Sequence, residues 1–383
     1  MATGGYERTA RKLRSTVHAE GVLRLEFQEV AIEGPEAGEV LVEMEAAPVH
    51  PADVMVLLAG ADVTRARAES GPQGPALVVP LSPAALHAAA GRLGQPLDVG
   101  LEGAGLVVAA GKGGDALLGK RVALLAPNRG TYAEYCQVPA AACLALPAHI
   151  DARGGAAAFT NPLTALAMVE TLHQTGERAM VHTAAASVIG QMLVRLCAEE
   201  DIGLVSVVRH EEQVELLRAI GARHVFNSNA PDYEKQLQRA LAQTGARVAF
   251  DAVGGGDTAS TLLSVMEAAA AARMGTFDPY GSSEMKRVYI YGRLDASDTR
   301  IPRGVYGLRW SVEGWAMPPV LERAGEARKA ELMSRISDGL DGTFASSFHA
   351  EISLAQMLDP QILREIARHA TGGKYLLRLN YLA

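Results

Sequence analysis

The chain has 383 residues, of which 49% are hydrophobic and 21% charged, and a net charge of −7. That length exceeds what one hydrophobic core usually organises, so two domains are expected, and the composition is that of an ordered globular protein. The acidic balance, without a long basic run, argues against nucleic acid or an anionic membrane as partner, and no apolar run reaches the length of a membrane span.

The chain begins with MATGGYERTARKLRST, which carries basic residues but no apolar signal-peptide stretch, and reads as a loose N-terminal tail on a cytoplasmic protein. Cys136, Cys143 and Cys197 show neither a C-x-x-C spacing nor the density of a secreted scaffold, so they read as buried thiols in a reducing compartment. Residues 16 to about 150 are β-rich with frequent Gly and Pro: VLVEMEAAPVH alternates as a half-buried strand, and LEGAGLVVAAG and GKRVALLAP read as further strands. Between them, residues 61–97 look like an insertion with a helix starting at Ser82 and Pro83 and running to about Leu93; it would either roof a substrate pocket or decorate the surface.

From about residue 158 strands and helices alternate, through AMVH, GLVSVV, HVFN, RVAFDAV and RVYIYG. This pattern predicts an α/β fold with a doubly wound parallel sheet and crossover helices. Pro231 and Gly221 sit where helix start and stop signals belong. The C-terminal segment ISLAQMLDPQILREIARHATGGKYLLRLN carries a helix and then a strand that would pair back into the first domain. The expected division is 1–157 with 341–383 as one discontinuous β-rich domain, and 158–340 as the parallel-sheet domain.

The stretch AMVHTAAASVIGQMLVRLCAEEDIGLVSVVR is a strand, a small-residue turn, a helix and a second strand ending in a cation. Such a turn aims helix N–H groups and the positive end of the dipole at an anion. The glycine pattern of a dinucleotide turn is degraded here to Ala185, Ser187 and Gly190, with Val188 and Ile189 between. After the second strand an NAD site places an acid for the ribose hydroxyls, whereas this chain has Arg209 and His210. A guanidinium there suits a 2′-phosphate and hence NADPH; the plainer alternative is a surface Arg opening a helix.

The succession VHPADVMVLLAG, VGLEGAGLVVAAG, GKRVALLAPNRGTYAEYCQVP, NPLTALAMVETL, the cofactor turn, FDAVGG and ATGGKYLL resembles the medium-chain dehydrogenase/reductase superfamily over nearly the whole chain. Within it the chain is most similar to the zinc-independent quinone reductases and the mitochondrial-type 2-enoyl thioester reductases, which use NADPH. The resemblance implies a GroES-like β-rich catalytic domain beside a Rossmann domain, and a homodimer formed through the last strand of the parallel sheet. It also places Asn161 and Thr164 at the nicotinamide half of the cofactor, Val253, Gly254 and Gly292 at strand ends close to it, and Asn227 at the adenosine phosphate. Asn161 and Pro162 also read as a helix cap, and strand-end glycines as ordinary turns.

Zinc-dependent members of this fold hold their metal through a Cys, the His of a G-H-E turn and a later Cys or acid. Here those places carry His50, the turn Gly100-Leu101-Glu102, and the neighbourhood of Asn161. A leucine has no electron pair to donate, so no catalytic metal is expected, and Glu102 reads as an acceptor for backbone amides in the Gly-rich turn. Without a Lewis acid, alcohol oxidation is the poorer fit. Hydride transfer to a quinone or an α,β-unsaturated carbonyl is the better one, because conjugation already makes the acceptor electrophilic.

His50 and Asn161 are the catalytic candidates, His50 as a donor to substrate oxygen or a proton relay, or else as a buried structural histidine. The tyrosine that enoyl thioester reductases carry shortly after this position is missing from Asp53 to Thr64, Tyr132 reads as structural, and no proton donor stands out. Lys374 would either bring charge near the pocket or lie solvated. Tyr306, Trp310 and Trp315 would line a pocket, a dimer interface or the core. Two other functions stay open: an enoyl thioester reductase, which needs a basic elongated site for a CoA or carrier phosphate, and a non-catalytic NADPH-binding sensor.

Overall fold

In the computed structural model, which describes residues 8–368 and 374–379, the first element is a long strand in the basic N-terminal run. Strand β1 (Arg8–His18) buries Leu13, Ser15 and Val17 and leaves Lys12 and Arg14 at its margin, the period-two signature of a half-buried strand. It pairs along its full length with β2 (Val22–Ile32), which buries Leu23, Leu25 and Phe27. Most of the expected loose tail is therefore sheet, because alternate apolar residues give it a face to bury. Residues 1–7 of that tail lie outside the described residues.

Strand β3 (Glu39–Pro48) leads into α1 (Pro51–Leu58), then the hairpin β4 (Arg67–Gly71) and β5 (Gly74–Pro80). Residues 61–97 extend the first sheet, with β4 and α2 largely exposed and β5 buried against β2. β5 adds to β2 with Leu23 opposite Val79 and Leu25 opposite Leu77, and both β5 residues are fully buried. Ser82 caps α2 (Pro83–Ala88), accepting from the Ala85 N–H at 3.1 Å, but this helix stops at Ala88, short of the expected Leu93. Next come β6 (Leu97–Asp98), β7 (Glu102–Ala110), β8 (Arg121–Leu125), β9 (Tyr135–Pro139), β10 (Cys143–Ala145), α3 (Ala152–Gly155) and α4 (Thr160–Gln174).

The parallel-sheet region follows: β11 (Ala179–His182), α5 (Val188–Glu199), β12 (Gly203–Val208), α6 (Glu211–Ala219), β13 (His224–Asn227), α7 (Tyr233–Thr244) and β14 (Val248–Asp251). It continues through α8 (Thr258–Ala271), β15 (Lys286–Ile290), β16 (Trp310–Gly314) and α9 (Met317–Asp338). The chain ends in β17 (Phe348–Ser353), α10 (Pro360–Arg368) and β18 (Lys374–Arg378). Residues 371–373, which include the Gly-Gly pair ahead of Lys374, lie outside the described residues.

Two units result, one of residues up to Thr160 with those from Met333 onward, the other Asn161–Leu332. The first holds a five-stranded sheet in the order β4-β5-β2-β1-β6 and a seven-stranded sheet β10-β8-β7-β3-β18-β17, with β9 also on β3. In the latter, β18 runs antiparallel to β3, with Leu377 opposite Ala47, and so brings the C-terminal segment beside the strand that leads to His50. The second unit is a six-stranded parallel sheet in the order β13-β12-β11-β14-β15-β16. The order reverses at β11 and β14, and the strand-end crevice at such a reversal is where dinucleotides bind in this architecture.

The aromatic candidates divide. Trp315 lies edge-on to Tyr291 and Phe250 and donates its indole N–H to Thr171 Oγ1 at 3.0 Å, and Tyr306 is buried with its hydroxyl on Pro302 O at 2.8 Å. Tyr306 belongs to the core and Trp315 is half-buried against it, whereas Trp310 is 42% exposed on the edge strand β16. The segment 278–287 is pinned from inside: buried Lys286 places Nζ 2.6 Å from Glu267 Oε2, and Ser282 donates to the same carboxylate.

Candidate functional site

In the parallel-sheet unit, the turn between β11 and α5 follows from its small residues. Ala184 is held in the left-handed region at φ 49°, where a side chain larger than a methyl is poorly tolerated. Ala185 is fully buried, and a Cβ on Gly190 would come within 2.0 Å of the Ala185 carbonyl oxygen. Ser187 is the N-cap of α5 and accepts from the Gly190 N–H at 3.2 Å, and Val188 and Ile189 form the first helical turn. The turn thus presents the N-terminus of a twelve-residue helix, with its dipole, at the strand ends.

Arg209 follows β12 directly and is exposed, and no ion pair among the described residues engages its guanidinium. The backbone around it is fixed: Gln213 Oε1 accepts from the N–H groups of Arg209 and His210, and Asn229 Nδ2 donates to Arg209 O at 2.8 Å. His210 is the exposed N-cap of α6. Asn227 turns its amide oxygen to the N–H of Asn229 at 3.0 Å, so that oxygen is spent on a local turn. Farther along the sheet, Asp251 is fully buried and accepts from the N–H groups of Val253 and Gly254 and from Thr183 Oγ1. Gly254 has φ 78°, and its Cβ would meet Gly292 O at 2.5 Å. The two glycines let the loops after β14 and β15 touch backbone to backbone, a role the sequence left indistinguishable from plain turns.

Asn161 is not a helix cap: α4 already begins at Thr160, which puts Asn161 in the first turn, buried at 3% exposure with no partner for its Nδ2 among the described residues. Thr164 lies one turn on, with Oγ1 3.8 Å from Met317 Sδ.

In the β-rich unit, His50 precedes α1 and is 2% exposed. Its Nε2 is 2.5 Å from Glu102 Oε1, and its Nδ1 is 2.8 Å from Lys374 Nζ. The other carboxylate oxygen of Glu102 accepts from the N–H groups of Phe159 and Thr160 at 2.8 and 3.1 Å. Backbone amides do hold Glu102, as its sequence setting suggested, but they come from the start of α4 and the residue before it and not from the Gly-rich turn. Burial opposes ionisation of Glu102, yet His50, Lys374 and the amide of Phe159 outweigh it and keep its pKa below the usual carboxylate value. Asp53 ties the same region together, accepting from His50 N, Leu101 N and the Tyr132 hydroxyl, and burial raises its pKa.

With both ring nitrogens engaged, His50 has no free N–H for a substrate oxygen. Lys374, reached from the far end of the chain, is neither of the solvated kind nor free: it is the third member of this cluster, a partner for His50 that sequence reasoning did not assign. Only the pairing of β18 with β3 reveals it, since no local pattern marks a lysine that lies more than 300 residues from its partner.

A catalytic zinc does not fit these residues. Leu101 offers no ligand atom, His50 is occupied at both nitrogens, and Glu102 is committed to two amides and an imidazole. Among the described residues no group of three or more His, Cys, Asp or Glu is placed to hold a metal. A dinucleotide does fit its place, because Gly190 lets the small-residue turn pack closely on the N-terminus of α5 and no ion pair among the described residues engages Arg209 after β12.

A GroES-like β unit and a six-stranded Rossmann sheet in one chain are the two domain types of the alcohol dehydrogenase fold. Residues 36–148 match the alcohol dehydrogenase GroES-like domain, and residues 188–294 match the family described as zinc-binding dehydrogenase. The mouse synaptic vesicle membrane protein VAT-1 homolog is 32% identical over 172 residues, 43% of this chain and 40% of that protein. The mitochondrial enoyl-[acyl-carrier-protein] reductase of Caenorhabditis elegans is 28% identical over 69% of this chain and 68% of its own length. A protein of Mesorhizobium loti provisionally assigned as an NADPH:quinone reductase superimposes with a TM-score of 0.70, at 27% identity, over 97% of this chain and 98% of that one. The chain belongs to the medium-chain dehydrogenase/reductase superfamily, and the proteins it is similar to include quinone and enoyl reductases. The match to the VAT-1 homologs spans about two fifths of their length.

Proposed function

We propose that this protein is a zinc-independent, NADPH-dependent reductase that delivers hydride to a quinone or an α,β-unsaturated carbonyl. The observation that carries the reading is the closed set of hydrogen bonds at the places where zinc-dependent members keep their ligands, with Leu101 among them. A site without a Lewis acid suits an acceptor that conjugation has already activated. When bound, the reduced dinucleotide supplies a hydride. The chain's own residues bind and orient: the N-terminus of α5 takes the pyrophosphate, Arg209 the 2′-phosphate, and Asn161 and Thr164 the nicotinamide end, with Val253, Gly254 and Gly292 permitting close backbone approach.

Further parts of the reading concern setting. Trp310 and Leu308, 42% and 57% exposed at the edge strand β16, support a homodimer through that edge. The three free cysteines, two of them buried, suit a reducing, cytoplasmic compartment. No helix among the described residues is long and apolar enough to cross a membrane.

The test is fluorescence titration of the purified protein with NADPH and NADH, then NADPH oxidation with 1,4-quinones, enones and an enoyl-CoA. Tighter NADPH binding with turnover of a quinone or enone is expected. Preference for NADH would overturn the cofactor assignment. Turnover confined to enoyl-CoA would instead favour a thioester reductase, the function named for the worm relative. NADPH binding with no turnover of any acceptor would leave a non-catalytic sensor.

A further inference from the structure

Arg209 is the first residue after β12 that the sheet does not hold. The ladder between β12 and β13 ends with Val208 opposite Asn227, where the Ser228 N–H closes on Val208 O at 2.8 Å, and on the other side the Ala185 N–H donates to Val207 O at 3.1 Å. The N–H and C=O of Arg209 therefore have no strand to receive them, and each needs another partner. Two side chains supply them. Gln213 Oε1, in the first turn of α6, accepts from the Arg209 N–H at 3.0 Å and the His210 N–H at 3.3 Å. Asn229 Nδ2 donates to Arg209 O at 2.8 Å. Asn229 is set in turn by Asn227, whose Oδ1 accepts from the Asn229 N–H at 3.0 Å and whose backbone oxygen accepts from the Ala230 N–H at 3.0 Å. The loops after two neighbouring strands thus clamp the Arg209 backbone on both sides, while no ion pair among the described residues engages the exposed guanidinium.

We propose that Gln213 and Asn229 are positioning residues for the preference of NADPH over NADH, with Asn227 acting through Asn229; this rests on the NADPH reading above. Ordering a backbone residue opposes binding, and a residue already held in place avoids that cost. With its backbone fixed, Arg209 has only its side chain to order when the guanidinium meets the 2′-phosphate. Each of the three residues acts on the Arg209 backbone or on its neighbour in the clamp, so Asn227 serves the phosphate at one remove. NADH lacks that phosphate and draws nothing from the guanidinium, which confines the effect of the clamp to one cofactor.

The test is paired titration of NADPH against NADH, and of adenosine 2′,5′-bisphosphate against 5′-AMP, two probe pairs that each differ by the one phosphate. Asn229→Ala should weaken NADPH and the bisphosphate about three- to tenfold, the loss of one hydrogen bond, and change NADH and 5′-AMP by less than about twofold. Gln213→Ala should shift the same ratio in the same direction. In an Arg209→Ala background, Asn229→Ala should change NADPH affinity by less than about twofold, because the group it positions is gone. Where the wild type prefers NADPH through Arg209, an Asn229→Ala variant that weakens both cofactors equally, weakens neither, or weakens NADPH as much without Arg209 as with it overturns the proposal alone. A wild type that binds NADH at least as tightly, or an Arg209→Ala variant that keeps the NADPH preference, overturns the cofactor reading and the proposal with it.

Discussion

Arg209 separates two cofactors that differ by one phosphate. Among the described residues its guanidinium has no carboxylate partner to give up on binding, so the charge-assisted bonds to a 2′-phosphate would come at little cost. Arg209→Ala should weaken NADPH by about ten- to a hundredfold, the equivalent of about 1.5–3 kcal/mol for bonds to a charged group, and leave NADH binding as it was. Paired titrations check both halves of that statement. Glu102 is the opposite kind of residue, fully buried and bonded to two amides and an imidazole. Glu102→Leu strips the compensation from His50 and Lys374, and should cost about 3–5 kcal/mol in chemical denaturation. At this scale the sequence was informative where chemistry is local. The missing G-H-E histidine and the Arg after β12 were both legible from neighbours in the chain. The pairing of Lys374 with His50 was not, because it arises through sheet pairing between β18 and β3.

The β11–α5 element depends on the space between a turn and a helix. Gly190→Ala would drive a methyl to 2.0 Å from the Ala185 carbonyl, so the helix must shift. Overpacking of this kind costs about 1–3 kcal/mol, and the shifted helix N-terminus should lose most of its affinity for the dinucleotide. Thermal melts and cofactor titration of the variant would show both effects. Ala184→Gly should do the reverse for stability. It relieves a left-handed alanine at φ 49° and is expected to raise the unfolding free energy by about 1 kcal/mol, read from the denaturant midpoint. The strands of the parallel sheet were legible because continuous apolar runs such as AMVH and GLVSVV are bounded by turns. The β4–β5 hairpin was hidden in a Pro- and Gly-rich stretch, and β16 read only as an aromatic run, because edge strands are short and their outer faces polar or mixed.

For the whole molecule, the two-part organisation followed from length and from the change of rhythm near residue 158, while the seven-stranded sheet drew its last two strands from the far C-terminus, beyond the reach of any local pattern. Global stability should carry the mark of His182, fully buried at the end of β11. Its Nε2 lies 2.7 Å from the Tyr291 hydroxyl, and its Nδ1 has no partner among the described residues. Burial lowers its pKa from 6.5 to about 3. The folded state therefore refuses a proton that the unfolded chain accepts. The stability contribution is complete above about pH 6.5 and is lost as pH falls toward 3, with a limiting slope of about 1.4 kcal/mol per pH unit from this one group. Denaturation of the wild type and of His182→Phe across that window should show the wild type losing stability relative to the variant as pH falls. Parallel curves would remove His182 from the account.

The central claim is hydride transfer to a conjugated acceptor without a metal, and the most direct measurement is NADPH oxidation by an enone or 1,4-quinone after exhaustive chelation, with metal content determined on the same sample. Full turnover at negligible zinc is the predicted result. Activity that disappears with chelation and returns on addition of zinc would contradict the claim, since it would require a metal site that His50, Leu101 and Glu102 do not provide.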